Sequence, residues 1–227
     1  MLQLHFLTGE TMLKFNKPTL ITITAPTCSG KNFLMEALQT ELNFNRIVST
    51  TTREKRDGEI EGVDYYFISE LESVLKERDA QFAELVTFRG TRYGVTHTEM
   101  NGKMSGPNPP MVILEPNGVE IYEKMCIANG WDIFKIYIHT VESVRLERLL
   151  NRTIKDFMAA TSIAAQDKVL KTHIDRTLSI VGDERRWSQS NSWNAIIPGD
   201  NIKVALAMVE YGIAWRNKRN TELEANR

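Results

Sequence analysis

A β-branched run that passes through a short loop into a helix constrains this chain most. Thr19–Ala25 (TLITITA) is bounded by Pro18 and Pro26 and reads as a buried strand. Lys31–Leu42 follows with Phe33, Leu34, Ala37 and Leu38 at helical spacing. The same alternation recurs downstream. Arg46–Thr50, Met111–Glu115, Ile133–His139 and Trp193–Ile197 read as strands. Pro116 and Asn117 open a helix to about Ala128, and Thr140 is a candidate N-cap for another. Residues 141–187 read as mainly helical with a polar, less regular middle, and Asn201–Trp215 as the last helix. The charged tail after Arg216 is expected to fray. Strands alternating with helices predict an α/β fold with a parallel sheet flanked by helices.

Two stretches break the alternation. Between 51 and 110, Tyr65–Ser69 and Phe82–Phe88 alternate like strands around a helix over Glu70–Arg78. Thr51–Gly62 and Asn101–Pro110 (NGKMSGPNPP) read as loops. This segment predicts an inserted antiparallel lobe. Residues 150–187 read as a second, helical insertion or lid. The resulting parse is a single domain over 1–227. Its core is 18–50, 111–149 and 188–216, its lobe 51–110, its lid 150–187, and 1–17 is an N-terminal extension.

Bulk properties exclude some classes. A length of 227 residues suits one large domain with insertions, and 42% hydrophobic residues suits a globular chain. The net charge of −1 gives no general attraction to nucleic acid or to an anionic membrane. Any anion site therefore depends on local clusters of Lys and Arg. Cys28 and Cys126 provide no disulfide framework, which favours a reduced compartment. Met1–Lys17 lacks the pattern of a signal peptide, and no apolar run is long enough to span a bilayer. The expectation is a soluble cytoplasmic protein, with the oligomeric state left open.

The loop after the first strand comprises Ala25, Pro26, Thr27, Cys28, Ser29, Gly30, Lys31 and Asn32. A loop between a strand and a helix N-terminus is suited to phosphate, because free backbone N–H groups converge there and Lys31 adds a charge. The usual phosphate-loop pattern is G-x-x-x-x-G-K-S/T. Ala25 replaces its first Gly and Asn32 its last hydroxyl residue, while Gly30 and Lys31 remain. Taken alone, the loop is equally compatible with an ordinary strand-to-helix turn carrying a surface Lys.

The block from Ser49 to Phe67 reads STTTREKRDGEIEGVDYYF. It resembles the GMP-binding signature of guanylate kinases, in which a Ser, a TTR, a further Arg, a GE and a G-x-D-Y-x-F recur at these spacings. Further resemblances follow in the family's order: Phe82-Ala-Glu84, Gly90-Thr-Arg-Tyr-Gly94, Asn117-Gly-Val119, and Arg148-Leu-Leu-Asn-Arg152. Together they cover roughly residues 19 to 210.

The resemblance implies a P-loop nucleoside monophosphate kinase acting with Mg²⁺·ATP on GMP or dGMP. Residues 25–32 would then hold ATP, with Lys31 at the transferring phosphate and Asn32 as the metal ligand. Arg53, Arg56, Tyr65 and Tyr93 would hold the acceptor phosphate, as forks and phenolic donors suited to a dianion. Glu59 would support those arginines. Glu84 and Ser49 would read guanine, since a carboxylate matches the N1–H and 2-amino donors. Glu115 stands where the family has Asp, near the base or behind Mg²⁺. Arg152, Arg176 and Arg148 would be the lid cations of catalysis, across a stretch longer than is usual in the family. No nucleic-acid or membrane partner is implied.

The departures leave rivals. Asn32 is a neutral metal ligand, Cys28 occupies a loop position that is typically Gly, and Val95 stands in place of a hydroxyl residue that helps recognise guanine. Thr96 is adjacent but would point to the other face of a regular strand. One alternative is a related kinase for another (deoxy)nucleoside monophosphate. A second is a catalytically silent binding module of the same fold.

Overall fold

The computed structural model describes residues 15–56, 58–88 and 90–225. Most of the predicted N-terminal extension therefore lies outside the described residues. Five strands form a parallel sheet in the order β2 (Asn45–Arg46), β7 (Pro110–Ile113), β1 (Thr19–Thr24), β8 (Asp132–His139) and β9 (Ala195–Pro198). Every residue of β1 is buried, as expected for a strand covered on both faces.

Pleating sends alternate β1 side chains to two different cores. Ile21 and Ile23 pack with Leu34, Met35 and Leu38 of α1 (Lys31–Glu41) and with Ala205, Val209 and Ile213 of α7 (Ile202–Ala225). Leu20 faces the other layer, with Tyr122 and Cys126 of α4 (Pro116–Ala128) and Met100 and Met104 of α3 (His97–Met104). The α/β prediction holds in this three-layer arrangement.

A second sheet of four strands carries the lobe, in the order β4 (Tyr66–Phe67), β3 (Thr50–Thr51), β6 (Thr91–Thr96) and β5 (Phe82–Phe88). Its β3–β6 and β5–β6 pairs are antiparallel, whereas β3–β4 is parallel. The predicted strand Arg46–Thr50 is in fact two short pieces in different sheets. Asn45–Arg46 joins the core sheet, and Thr50–Thr51 joins the lobe. The helix α2 (Glu70–Arg78) matches its prediction, with Ser69 accepting from the Glu72 N–H as N-cap.

Other boundaries differ from the sequence reading. The start of the expected loop Asn101–Pro110 is the end of α3, whose N-cap Thr96 accepts from the Glu99 N–H at 3.2 Å. Asn101 and Gly102 hid it, and the buried Met100 and Met104 stabilise it. Thr140 does not cap the next helix. Its hydroxyl donates to the Ser29 carbonyl at 3.0 Å, and Val141 is the N-cap residue. The predicted helical region after 141 is a hairpin of α5 (Glu142–Ala159) and α6 (Ile163–Val181), followed by a 3-10 turn over Asp183–Gln189. α5 and α6 run antiparallel, with Thr153 Oγ1 2.8 Å from His173 Nδ1. The tail expected to fray after Arg216 is helical to Ala225. Arg216 holds the Ile133 carbonyl and the Asp132 carboxylate, which anchors that helix to the sheet.

Candidate active site

The loop between β1 and α1 is fixed from outside. The N–H and hydroxyl of Thr27 both donate to Glu184, at 3.0 and 2.7 Å, and the Thr27 carbonyl accepts from Arg145 Nε at 2.8 Å. Arg145 and Glu184 are themselves an ion pair, and both are buried. A buried pair of this kind is costly to break, because one charge is left uncompensated. Gly30 caps α1 in the left-handed conformation, φ 94°. Its Cα faces Gly199, since a Cβ on Gly30 would lie 2.6 Å from the Gly199 carbonyl oxygen. Cys28 is also left-handed, at φ 61°. That backbone explains why a Gly is usual at this position, and a Cβ there costs about 1–2 kcal/mol.

The loop opens on a cleft of 680 Å³. Residues 26–32 line one end, including Lys31 and the exposed Asn32. Burial lowers the pKa of Lys31. Glu115 and Glu184 oppose that shift and Arg46 adds to it. A desolvated ammonium at a helix N-terminus is a strong anion site.

Arg53, Arg56, Glu59, Tyr65 and Tyr93 line the other end. Glu59 grips Arg53 through two hydrogen bonds, at 3.0 and 2.7 Å, and accepts the Arg56 N–H at 2.8 Å. One carboxylate thus orders the loop that carries both arginines. The hydrogen bond from Arg53 lowers the pKa of Glu59, and the same bond raises that of Arg53. Arg53 lies over the Tyr65 ring at 5.4 Å, and Tyr65 meets Tyr93 edge-on at 6.1 Å. Burial raises the pKa of Tyr65, so its phenol stays a donor.

The α5–α6 hairpin closes the cleft with Arg148, Arg152 and Arg176. Arg152 reaches Cys28 Sγ at 3.4 Å. Burial lowers the pKa of Arg176, and the charges of Arg152 and Arg56 lower it further. Arg148 donates to the carbonyls of Cys28, at 3.2 Å, and Gly199, at 3.4 Å, so much of its fork serves the loop itself.

Four expected site residues do not line this cleft. Ala25 is buried beneath the loop. Ser49 immediately precedes β3, and its carbonyl accepts the Tyr66 N–H at 2.9 Å. Glu115 stands at the N-cap of α4, close enough to Lys31 to affect its ionisation. Glu84 sits on β5 opposite the buried Val95, at a bulge between Phe82 and Glu84. The Tyr122 hydroxyl donates to its carboxylate at 3.4 Å. Burial pushes the Glu84 carboxyl up to about 7, with the Tyr122 hydrogen bond acting in the opposite direction.

The profile of the guanylate kinase family matches residues 17–184. The chain belongs to the guanylate kinase family. The guanylate kinase of Chlamydia trachomatis is 33% identical over 144 residues, covering 62% of this chain and 68% of that one. The guanylate kinase of Fusobacterium nucleatum is 30% identical over 132 residues, covering 58% and 69%. The crystal structure of guanylate kinase from Anaplasma phagocytophilum has the same fold. Its TM-score is 0.58 at 18% identity, with 88% of this chain and 87% of that chain covered.

In this guanylate kinase family member, four residues in or behind the cleft receive no role from the sequence alone. Arg145 and Glu184 clamp Thr27, and Arg46 and Asp64 line the cleft. The Arg145–Glu184 pair had no local signal, since 39 residues separate the two. Arg46 had one: a cation directly before the apolar pair Ile47 and Val48 in the predicted strand Arg46–Thr50. No helix among the described residues is long and apolar enough to cross a membrane.

Proposed function

We propose that this protein transfers the γ-phosphoryl group of ATP to GMP or dGMP, giving ADP and GDP or dGDP. One observation carries the reading: a single cleft has a phosphate loop with Lys31 at one end and the Arg53, Arg56, Tyr65 and Tyr93 cluster at the other, with Arg152 and Arg176 between them. That arrangement suits two phosphate chains placed end to end. An acceptor phosphate oxygen attacks the γ-phosphorus and the bond to the β,γ-bridging oxygen breaks. The attacking oxygen is already anionic, so no strong base is needed. Rate then comes from alignment and from neutralising charge on the migrating group.

The donor set suits Mg²⁺ arriving with ATP. Among the described residues no group of three or more His, Cys, Asp or Glu side chains converges. Mg²⁺ in such sites is held largely by phosphates and water, with one or two protein oxygens. The exposed Asn32 amide lines the cleft beside Lys31, and Glu115 is near, so these two residues would hold it. When bound, it supplies charge neutralisation at the β- and γ-phosphates. Lys31 would hold the γ-phosphate, and Arg152 and Arg176 would exclude water as the hairpin closes. Glu84 would read guanine.

A specific observation supports one second reading. Val95 is wholly buried opposite Glu84, so this face lacks the hydroxyl expected for guanine. A site missing one hydrogen-bond donor discriminates less, which favours testing other bases. A silent binding module is disfavoured by the arginines gathered around the loop.

The test is a coupled ADP-release assay with Mg·ATP and a panel of GMP, dGMP, AMP and dTMP. Turnover with GMP or dGMP is expected. Lys31→Ala should lower kcat by about 10²–10³-fold while changing GMP affinity far less. Turnover confined to another base supports the second reading. No turnover with any monophosphate overturns the kinase assignment.

A further inference from the structure

Arg46 is outside every motif that carries the family resemblance, yet it lines the cleft. It projects from β2, an edge strand of the core sheet. The next residue, Ile47, is buried in the core, and alternation directs Arg46 the opposite way. Its side chain is 23% exposed. Nη2 donates to the Asp64 carbonyl at 2.9 Å, and Nη1 lies 3.9 Å from the Asp64 carboxylate. Asp64 is occupied elsewhere, because its Oδ2 accepts the Ile60 N–H at 2.7 Å. The carboxylate is therefore too distant and too committed to neutralise Arg46 fully.

Its position is the informative point. Arg46 is anchored to the residue just before Tyr65, at the lobe end. Its charge also reaches Lys31, at the loop end, where it adds to the fall in pKa that burial causes, and Tyr65, where it opposes the rise that burial causes. Arg46 lines the same cleft as Lys31 and is tied to the lobe beside Tyr65, which puts it within reach of an anion that spans the two. The migrating phosphoryl group spreads its charge over three equatorial oxygens, and a planar guanidinium presents two parallel donors to such a group.

We propose that Arg46 is a further catalytic residue, which contacts the phosphoryl group in transit between Lys31 and the Arg53–Tyr65 cluster. It comes from an edge strand of the core sheet and the hairpin arginines from α5 and α6, so the migrating group is held from separate elements. This rests on the kinase reading given above.

The rival role for Arg46 is a latch that only ties the lobe to the core. The experiment separates the two with Arg46→Met and Arg46→Lys in the full chain, after thermal unfolding shows that both fold. Lys keeps the charge and can keep one hydrogen bond to a carbonyl, so a latch predicts near-normal activity in Arg46→Lys. Phosphoryl contact predicts kcat lowered about 10²-fold in Arg46→Met and still about tenfold in Arg46→Lys, with the KM for GMP changed less than about fivefold. Wild-type activity in Arg46→Lys, or a raised KM with unchanged kcat in both variants, overturns the proposal. A second readout does not depend on turnover. Guanosine–adenosine pentaphosphate, which fills the axis with phosphates, should bind Arg46→Met about tenfold or more weakly than wild type by calorimetry. Equal affinity overturns the proposal. Absence of wild-type turnover with every monophosphate would instead refute the kinase reading.

Discussion

Glu84 puts a carboxyl where burial disfavours its charge. It is half-buried opposite Val95, and the Tyr122 hydroxyl donates a hydrogen bond to its carboxylate. Burial pushes the carboxyl from 4.5 up to about 7, and the Tyr122 bond opposes that rise. The consequence for binding has a definite sign. The guanine N1–H and 2-amino group need an acceptor, so the ionised form binds and a proton must leave. GMP affinity should therefore rise as pH increases from about 6 to 8, which calorimetry in buffers of different ionisation enthalpy would detect. The consequence for stability runs the other way. The folded pKa lies above the unfolded one, so the folded state keeps a proton that the unfolded chain loses. Stability from this group is fully present below pH 4.5 and lost as pH rises through about 7. The loss is at most about 3.5 kcal/mol. Glu84→Gln should flatten the pH dependence of urea unfolding between pH 5 and 8, and should weaken GMP binding at pH 8. An unchanged pH slope in the variant would mean that Glu84 titrates like an ordinary carboxylate.

The elements that build the loop depend on close backbone approach more than on side-chain contact. A Cβ on Gly199, at the end of β9, would lie 2.0 Å from the Ser29 carbonyl oxygen and 2.2 Å from Thr140 Oγ1. Neither neighbour is a flexible chain end, so β9 and the loop would have to separate. Gly199→Ala should cost at least about 2 kcal/mol in unfolding free energy and raise the KM for ATP. Gly102→Ala in α3 meets open space and should stabilise by about 0.5–1 kcal/mol, a control for the substitution itself. Equal effects of the two variants would show that the contact at Gly199 can relax. This contact also marks the limit of what the sequence makes legible. β1, α2, β5 and α4 follow from local periodicity and caps, because burial of one face leaves a regular pattern. The Ser49–Phe67 block is contiguous, so Arg53, Arg56, Glu59 and Tyr65 were legible together, and the structure brings them to one cleft. The contacts Gly199–Ser29, Thr140–Ser29, Arg145–Glu184 and Arg46–Asp64 join residues distant in sequence. No local pattern encodes them. The α3 error has a different cause, since tertiary burial of Met100 and Met104 overrode weak propensity at Asn101 and Gly102.

At the scale of the whole molecule, the net charge of −1 conceals a strong separation. The residues lining the cleft include seven basic side chains, Lys31, Arg46, Arg53, Arg56, Arg148, Arg152 and Arg176, against two acidic ones, Glu59 and Asp64. That excess of five positive charges is drawn together from the core sheet, the lobe and the α5–α6 hairpin. Without an anion these parts repel one another across the cleft. The lowered pKa of Arg176, due to burial and then to Arg152 and Arg56, records the same repulsion. Simple salt screens it, since the Debye length falls from about 30 Å at 0.01 M to about 8 Å at 0.15 M. Raising NaCl over that range should therefore raise the unfolding midpoint of the free protein, the reverse of what a fold dominated by exposed ion pairs would do. Tripolyphosphate provides the sharper test. It should raise the midpoint at low salt, with stabilisation of about 2.7 kcal/mol at one hundred times its dissociation constant. Once it is bound, added NaCl should lower the midpoint by displacing it. The sign of the salt effect thus inverts between the free and anion-loaded protein, and differential scanning fluorimetry over a salt series reads it directly. A free protein that salt destabilises, or an NaCl response that tripolyphosphate leaves unchanged, would mean that the cleft charges do not govern how the three parts hold together.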